Sequence, residues 1–358
     1  MTTPPPRPGI LNIAPYIGGL SELPGVNKVI KLSSNESALG PSPLARDAYL
    51  EAADHLHRYP DSSAAGLRAA IAREYGIDGE KIVCGNGSDE LISLLVSAYA
   101  GPGDEVLYSR HGFLVYPIAA YAAGATPVEA PEKNLKTDID SVLNAVSEKT
   151  RVVLIANPNN PTGSYLSAQE MERLADGLPE RVLLVIDAAY AEYVTAGDYT
   201  AGGVLSATRD NVVMTRTFSK IYGLSALRLG WAYGSEGIVD VLNRTRGPFN
   251  VSASAQAAGI AAMNDSAFTA RARAYNETWR QWTAERLSEI GLTVHPSVAN
   301  FLLVGFPLEA AHCAASADVF LKQNGIIVRQ VENYGLADCL RISIGAEEEM
   351  QALVKAYV

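Results

Sequence analysis

The stretch RVVLIANPNNPTGSYLSAQEMERLADGLPERVLLVIDAAY (residues 151–190) decides the fold. It opens with an apolar run that breaks at Asn157, and it closes with a second apolar run that ends at Asp187. Between them, Ser167 followed three residues later by Glu170 is a capping box, which predicts a helix that begins there. Two strands that are apolar throughout, joined by an amphipathic helix, indicate parallel strands covered on both faces.

The same alternation of helices and apolar strands extends on both sides of this stretch, from about residue 46 to about residue 256. The predicted strands outside it are KIVC (81–84), DEVLYS (104–109), TPVEAP (126–131) and NVVMTRT (211–217), and the predicted helices include 63–74, 117–125 and 139–147. This pattern predicts an α/β fold with a mainly parallel sheet.

The two ends of the chain have different patterns. Residues 1–45 are rich in Pro, Gly and Ser and are predicted to form an arm that joins the smaller domain. We therefore predict a large domain over 46–256 and a smaller α+β domain over 257–358. In the latter, two helices precede the strands LTVHP (292–296), NFLLVGF (300–306), IIVRQV (326–331) and LRISIG (340–345), which predict a small, mostly antiparallel sheet.

The composition excludes several classes of function. The chain has 358 residues and a net charge of −10, so its surface repels nucleic acid and anionic lipid. No apolar run approaches the roughly 20 residues that a membrane span needs, and the N-terminus lacks the apolar core of a signal peptide. Cys84, Cys313 and Cys339 have no metal-site spacing, so we expect reduced thiols, no metal and a cytoplasmic location.

Polar residues follow three of the predicted strands in turn. In parallel sheets, ligands bind beyond the carboxyl ends of the strands. Asn160 follows one apolar strand, Asp187 ends the next, and Lys220 follows NVVMTRT. Each also has an ordinary interpretation, as a loop residue, a helix cap or a surface lysine.

Two further segments supply candidate anion ligands. GNGSDE (85–90) leads from a strand into a helix, where free backbone N–H groups bind anions, although it could also be a plain helix start capped by Ser88 or Asp89. It lacks the spacing of a dinucleotide site. TRTFSKIYGLSALRLGW (215–231) places Lys220 near hydroxyl groups and an arginine that could instead form a structural ion pair.

Together these residues fit pyridoxal 5'-phosphate. A lysine amine forms a Schiff base with an aldehyde, which is the predicted role of Lys220, and Asp187 is expected at the pyridinium nitrogen. Asn160 and Tyr190 are placed to bind O3′. The predicted phosphate ligands are the backbone of Gly87, Ser88 and Asp89, the hydroxyls of Thr217 and Ser219, and the guanidinium of Arg228.

The sequence resembles the fold-type I, class I and II aminotransferases over nearly its whole length. The motifs are NPTG (160–163), the pair Asp187 and Tyr190, SK (219–220) and R-x-G (228–230). The resemblance implies a large domain with a seven-stranded sheet, transamination with 2-oxoglutarate or glutamate, and a homodimer with shared sites. It implies that Phe113 stacks on the cofactor and that Tyr59 of RYPD reaches the partner subunit's cofactor phosphate.

More narrowly, APY (14–16), SSNESALGPSP (33–43), GIIVR (325–329) and LRISIG (340–345) resemble the histidinol-phosphate branch of that family. The resemblance implies that Tyr16, Asn35, Arg329 and Arg341 bind substrate. An arginine pair can equally bind the carboxylates of phenylalanine or tyrosine, for which Phe249 could line the entrance, so an aromatic aminotransferase is the alternative. A lyase or decarboxylase on the same fold and a non-catalytic regulator are the remaining alternatives. Arg329 and Arg341 could also form surface ion pairs.

Overall fold

A computed structural model describes residues 4–26 and 28–357 of the chain. Its helices are α1 (Pro43–Ala52), α2 (Ala65–Tyr75), α3 (Ser88–Tyr99), α4 (Val115–Ala123), α5 (Ile139–Ala145), α6 (Ala168–Gly177), α7 (Gly203–Thr208), α8 (Glu236–Thr245), α9 (Ala253–Met263), α10 (Ser266–Glu289), α11 (Ala314–Gln323) and α12 (Glu347–Tyr357). Its strands are β1 (Ile30–Lys31), β2 (Ile82–Gly85), β3 (Glu105–Ser109), β4 (Thr126–Ala130), β5 (Glu132–Lys133), β6 (Lys136–Thr137), β7 (Thr150–Ala156), β8 (Leu183–Asp187), β9 (Val212–Thr217), β10 (Gly230–Gly234), β11 (Thr293–Val294), β12 (Phe301–Gly305), β13 (Ile326–Ile327), β14 (Arg329–Gln330) and β15 (Cys339–Ser343).

The large sheet has seven strands in the order β2-β10-β9-β8-β7-β3-β4. Every pair from β9 to β4 is parallel, and β10 runs antiparallel to both of its neighbours. The prediction of a mainly parallel, seven-stranded sheet is therefore confirmed. The segment of β10, GWAYG, was not predicted as a strand, because it is short and begins and ends with glycine.

The central strands are buried on both faces, as their continuous apolar runs predict. Along β7, Val152 and Leu154 pack in one apolar cluster with α3, α4 and α8. Val153 and Ile155 face the other way and pack with α5 and α6. Because successive side chains of a strand point to opposite faces, this alternation places a helical layer on each side of the sheet.

The predicted capping box is present at the start of α6. The hydroxyl of Ser167 accepts a hydrogen bond from the backbone N–H of Glu170 at 3.3 Å, and the Glu170 carboxylate accepts one from the backbone N–H of Ser167 at 2.8 Å. Two of the free N–H groups at the helix start are thus bonded, which fixes the turn between β7 and α6.

The C-terminal sheet is antiparallel, in the order β11-β12-β15-β14. The predicted single strand IIVRQV is divided at Val328. Its first half, β13, pairs in parallel with β1 of the N-terminal arm, and its second half, β14, pairs with β15. The register of β14 and β15 sets Arg329 directly opposite Arg341.

The domain boundary near residue 257 stays a prediction, as does the cytoplasmic location. One helix, α9, spans residues 256 and 257 and packs against α1 and α2. In the part of the chain that the structure describes, no helix has the length and apolarity to cross a membrane.

A buried ion pair lies beneath the end of the large sheet. Arg216 of β9 donates to the Glu192 carboxylate at 2.7 Å, and both side chains are about 5% exposed. The hydroxyl of Tyr75 donates to the same carboxylate at 3.1 Å and is 2.7 Å from the hydroxyl of Tyr222. The ion pair joins β9 to the segment that follows β8, and Tyr75 links it to Tyr222 in the segment that follows β9.

We expect Glu192→Gln to lower the free energy of unfolding by roughly 3–5 kcal/mol, because it leaves a buried guanidinium without its counter-charge. Urea unfolding measures this change. The matched control is Asp240→Asn, which breaks an exposed ion pair with Arg244 and should change the value by less than about 1 kcal/mol. Equal unfolding curves for Glu192→Gln and the unmodified protein would contradict the expectation.

Candidate active site

The register of the parallel strands brings the predicted residues to one edge of the sheet. Ala156 at the end of β7 pairs with Asp187, and Asp187 pairs with Thr215 of β9. The carboxyl ends of β7 and β8 are therefore level, β9 continues past this level to Thr217, and the segments that carry Asn160 and Lys220 leave from the same edge. This is the position at which α/β sheets bind ligands.

Asp187 is a buried carboxylate, 5% exposed, held by two hydroxyl groups. Tyr116 donates a hydrogen bond to its Oδ2 at 2.9 Å, and Thr215 donates to its Oδ1 at 3.4 Å. Burial raises the pKa of Asp187 to about 6, because desolvation disfavours the charged form, while the two hydroxyl donors act in the opposite direction. A cationic ligand at this carboxylate would compensate the cost of burying its charge.

Lys220 follows β9 and points into the same region. Its Nζ lies 5.5 Å from the centre of the Tyr190 ring. Burial, followed by the positive charge of Arg341, lowers the pKa of Lys220 to about 8. A lysine with a lowered pKa has an appreciable fraction of free amine near neutral pH, which is the form that attacks a carbonyl carbon.

The GNGSDE turn packs closely against the segment around Arg228. Gly87 is the N-cap of α3 with φ 88°, and within the described residues no side chain caps this helix, so the alternative of a cap by Ser88 or Asp89 is wrong. A Cβ on Gly87 would lie 2.5 Å from Nη2 of Arg228, and a Cβ on Gly230 would lie 2.5 Å from the backbone nitrogen of Ser88. Gly87 is favoured by its positive φ and Gly230 by the close approach of the Ser88 backbone, and the first N–H groups of α3 stay available to an anion.

The groups around this turn include both a cation and hydroxyls. Arg228 donates to the Ser219 hydroxyl at 3.2 Å and to the Asp89 carboxylate at 3.0 Å, so the ion pair considered for Arg228 is present. The Thr217 hydroxyl accepts from the backbone nitrogen of Ser219 at 3.1 Å and donates weakly to the carbonyl of Leu229 at 3.4 Å. In this geometry Ser219 contacts Arg228, whereas the Thr217 hydroxyl is engaged with the backbone.

Asn160 and Tyr190 are each linked to residues distant in sequence. The Tyr190 hydroxyl accepts a hydrogen bond from Nδ2 of Asn35 at 2.9 Å, and Oδ1 of Asn35 accepts from the Ser343 hydroxyl at 2.9 Å. The side-chain amide oxygen Oδ1 of Asn160 accepts a hydrogen bond from Nη1 of Arg341. The small sheet and the N-terminal arm therefore complete the site that the large sheet begins.

The two predicted substrate arginines differ in environment. Arg341 is buried, donates to the carbonyl of Ser33 at 2.8 Å, and has one nitrogen, Nε, without a hydrogen-bond partner among the described residues. Burial lowers the pKa of Arg341. Arg329 is half-buried, donates to the carbonyl of Ile17 at 2.8 Å and lies 5.9 Å from the ring centre of Tyr16. The interpretation of Arg341 as a surface residue is therefore wrong.

Two predicted aromatic residues lie at different depths. Phe113 is half-buried, and its ring centre is 6.0 Å from that of Tyr116 in an edge-to-face contact. Tyr59 is 82% exposed and stacks on Phe249 with ring centres 4.6 Å apart. The protomer thus holds Phe113 beside its own site, while Tyr59 faces outward.

The sequence reasoning missed Tyr116 and Thr215, which both contact Asp187. A tyrosine in the otherwise apolar segment LVYPIAAYAA was a usable signal, because a buried tyrosine hydroxyl needs a partner. Tyr334, to which no role was assigned, is buried and accepts a hydrogen bond at its carbonyl from Nδ1 of His111 at 2.6 Å. That contact joins the segment after β3 to the segment before β15.

These residues fit an aldehyde cofactor that carries a ring nitrogen and a phosphate. The buried carboxylate of Asp187 suits a protonated ring nitrogen, and the amine of Lys220 suits the aldehyde. The free N–H groups at the start of α3, bordered by Gly87 and Gly230, suit the phosphate. The donor set is therefore that expected for pyridoxal phosphate.

Comparisons with known proteins agree with this geometry. The family model for aminotransferase class I and II matches residues 27–356. Histidinol-phosphate aminotransferases from Rhodospirillum centenum and Paramagnetospirillum magneticum are 58% and 56% identical to the chain, and each alignment covers 99% of this chain and 98% of the relative. The crystal structure of histidinol-phosphate aminotransferase from Sinorhizobium meliloti in complex with pyridoxal-5'-phosphate has a TM-score of 0.88 and 30% identity, and the match covers 92% of this chain and 90% of that one. The chain belongs to the class I and II aminotransferase family.

Proposed function

We propose that this protein is a pyridoxal-phosphate-dependent aminotransferase that transfers the amino group of histidinol phosphate to 2-oxoglutarate. The observation that carries the proposal is the placement of two side chains at neighbouring parallel strands: Asp187 is buried at the end of β8, and Lys220 is half-buried just beyond the end of β9. Relatives at 54–58% identity carry the histidinol-phosphate name, which favours that substrate over an aromatic amino acid.

Pyridoxal phosphate, when bound, supplies an electron sink that stabilises negative charge at the α-carbon of the substrate. Lys220 holds the aldehyde carbon and afterwards carries the proton from the α-carbon. Asp187 keeps the ring nitrogen protonated. Tyr190 keeps its own proton to donate, because its oxygen accepts from Asn35, and Asn160 keeps its amide N–H groups, because its oxygen accepts from Arg341. Both are therefore donors for the O3′ oxygen.

The phosphate is proposed to lie at the start of α3. Its ligands would be the backbone N–H groups of Ser88 and Asp89, which Gly87 leaves accessible, together with Ser219 and Arg228. Thr217 supports Ser219 through the hydrogen bond between its hydroxyl and the Ser219 backbone. A cation and several N–H donors converge on one point, the pattern that phosphate recognition requires.

The substrate phosphate is proposed to bind the arginine pair on β14 and β15. Arg329 and Arg341 are cross-strand neighbours, so two guanidinium groups reach the same side of the site. A dianionic phosphate suits such a pair better than a single carboxylate does, because it balances two positive charges. Tyr16 lies beside Arg329, and the buried Asn35 lies near Ser33, whose carbonyl accepts a hydrogen bond from Arg341.

We further propose that the enzyme is a homodimer in which Tyr59 binds the cofactor phosphate of the partner subunit. The support is the position of Tyr59 on the surface, where its exposed ring stacks on Phe249. Exposed apolar side chains on the neighbouring α1, including Leu44 and Leu50, would be covered by the same interface.

The Lys220→Ala variant tests the cofactor chemistry. We expect turnover to fall by roughly 10⁴-fold and the visible absorption of covalently bound cofactor to disappear, because no amine remains to hold the aldehyde or carry the proton. Asp187→Ala should lose more in turnover than in cofactor affinity. Lys149→Ala, an exposed lysine, is the control. Unchanged turnover in Lys220→Ala would refute the proposal.

The substrate is tested in the amine half-reaction, followed by the loss of the cofactor's visible absorbance. Histidinol phosphate should react at far lower concentration than phenylalanine. Arg329→Gln should raise the concentration of histidinol phosphate needed by roughly 10- to 100-fold, the effect of losing one charged hydrogen bond. The exposed Arg271→Gln is the control. A preference for phenylalanine would instead assign the protein to the aromatic aminotransferases, and an activity without 2-oxoglutarate would indicate a lyase.

The pH dependence of cofactor capture tests the charge environment of Lys220. Only the free amine attacks the aldehyde, so the capture rate of the cofactor-free protein should rise with pH and level off above about 8, the pKa of Lys220. Arg341→Gln removes a positive charge that lowers this pKa, so the midpoint should move to higher pH. Arg341→Lys keeps the charge and should keep the midpoint. A midpoint that stays in place in Arg341→Gln would contradict the expectation.

A further inference from the structure

The buried hydroxyl of Tyr116 is fixed on one oxygen of Asp187. Tyr116 lies in the first turn of α4 and is fully buried, and its hydroxyl donates to Oδ2 at 2.9 Å. The donor on the other oxygen, Thr215, is longer at 3.4 Å. Oδ2 is thus occupied by a strong donor, and Oδ1 keeps most of its capacity to accept a further hydrogen bond.

The orientation of Tyr116 is determined by its surroundings. Its ring makes edge contacts with Tyr108 and Phe113, with centres 6.2 Å and 6.0 Å away. A Cβ on Gly112 would lie 3.2 Å from the ring, so the segment before α4 also packs closely on it. Because the ring is enclosed, the hydroxyl has little freedom to leave Asp187, and the contact is preorganised before any ligand binds.

The charges around Asp187 make the hydrogen bond from Tyr116 important for keeping Asp187 ionised. Asp89 on α3 disfavours the ionised form of Asp187, whereas Lys220 favours it. Burial together with the charge of Asp187 raises the pKa of Tyr116 well above its usual range, so the phenol stays protonated and remains a donor. The hydroxyls of Tyr116 and Thr215 are therefore the neutral groups that oppose the desolvation of the carboxylate.

We propose that Tyr116, assisted by Thr215, is a positioning residue that holds the Asp187 carboxylate ionised and turned so that Oδ1 accepts from the cofactor's ring nitrogen. The inference rests on the proposed function, because it assumes that a ring nitrogen binds at Asp187. It gives α4 a role in the chemistry, in addition to the role of the residues at the ends of the strands. A residue that merely fills the core would leave the interaction at the ring nitrogen unchanged.

The test compares the affinity of the cofactor-free protein for pyridoxal phosphate with its affinity for the 1-deaza analogue, in which carbon replaces the ring nitrogen. In the unmodified protein the ratio of the two affinities reports the contact between Asp187 and the ring nitrogen. Tyr116→Phe removes one oxygen atom and keeps the ring. We expect it to reduce the preference for pyridoxal phosphate by roughly tenfold, with little effect on the analogue, since a hydrogen bond to a charged group is lost.

Tyr108→Phe is the matched control. Tyr108 is also buried, contacts the same ring, and donates to a carboxylate outside the site, Glu129, at 3.3 Å. Removing the Tyr108 hydroxyl should leave the preference for pyridoxal phosphate unchanged. If Tyr116→Phe does not fold, Thr215→Val tests the same claim on the other oxygen of Asp187. We expect this variant to reduce the preference for pyridoxal phosphate by a smaller factor. An unchanged preference would count against the proposal.

The outcomes separate the two proposals. If the unmodified protein shows no preference for pyridoxal phosphate over the analogue, the proposed role of Asp187 fails, and this inference fails with it. If the preference exists and is the same in Tyr116→Phe, or if that variant loses affinity for both compounds equally, only the inference is overturned. A reduced preference in Tyr116→Phe, with Tyr108→Phe unaffected, supports it.

Discussion

The site depends on the register of three parallel strands. Asp187 pairs with Ala156 on one side and with Thr215 on the other, so β7 and β8 end level with each other and β9 ends just beyond them at the same edge. A shift of one residue in this register would turn Asp187 to the opposite face of the sheet, because side chains alternate along a strand. The apolar faces of these strands pack in two separate clusters, which makes such a shift costly. The hydrophobic core thereby determines where the charged groups lie.

Charge burial connects stability with the proposed chemistry. Below the strand ends, Arg216 and Glu192 neutralise each other. In the site, Asp187 and Arg341 are buried and Lys220 is half-buried, and none of the three has a direct ion pair among the described residues. Desolvation raises the pKa of Asp187 and lowers the pKa of Lys220 and Arg341, so it disfavours the charged form of each. A ligand with a cationic ring nitrogen, an aldehyde and anionic groups would compensate the cost of burying these charges. The contrast explains why similar residues are structural in one layer and proposed to be functional in the next.

The smaller sheet and the N-terminal arm enter the same site through hydrogen bonds. Asn35 connects Tyr190 to Ser343, and Arg341 connects Asn160 to Ser33. The arm is also tied to the small sheet region by the parallel pairing of β1 with β13. Residues predicted to bind cofactor and residues predicted to bind substrate are therefore mechanically linked. A substitution of Arg341 would alter Asn160, one of the donors proposed for O3′, because Arg341 and Asn160 share a hydrogen bond.

The sequence by itself determined the strands of the large sheet other than β10, the capping box at Ser167 and the family, because hydrophobic periodicity, helix caps and short motifs are local properties of the chain. It also indicated Asn160, Asp187 and Lys220, since the carboxyl-end rule needs only the order of the strands. Only the tertiary structure decided the rest. It divided IIVRQV between two sheets, set Arg329 opposite Arg341, and brought Tyr116 to Asp187 across 71 positions of the chain. Such contacts depend on strand register and on how α4 packs, and neither leaves a periodic signal in the residues that finally meet.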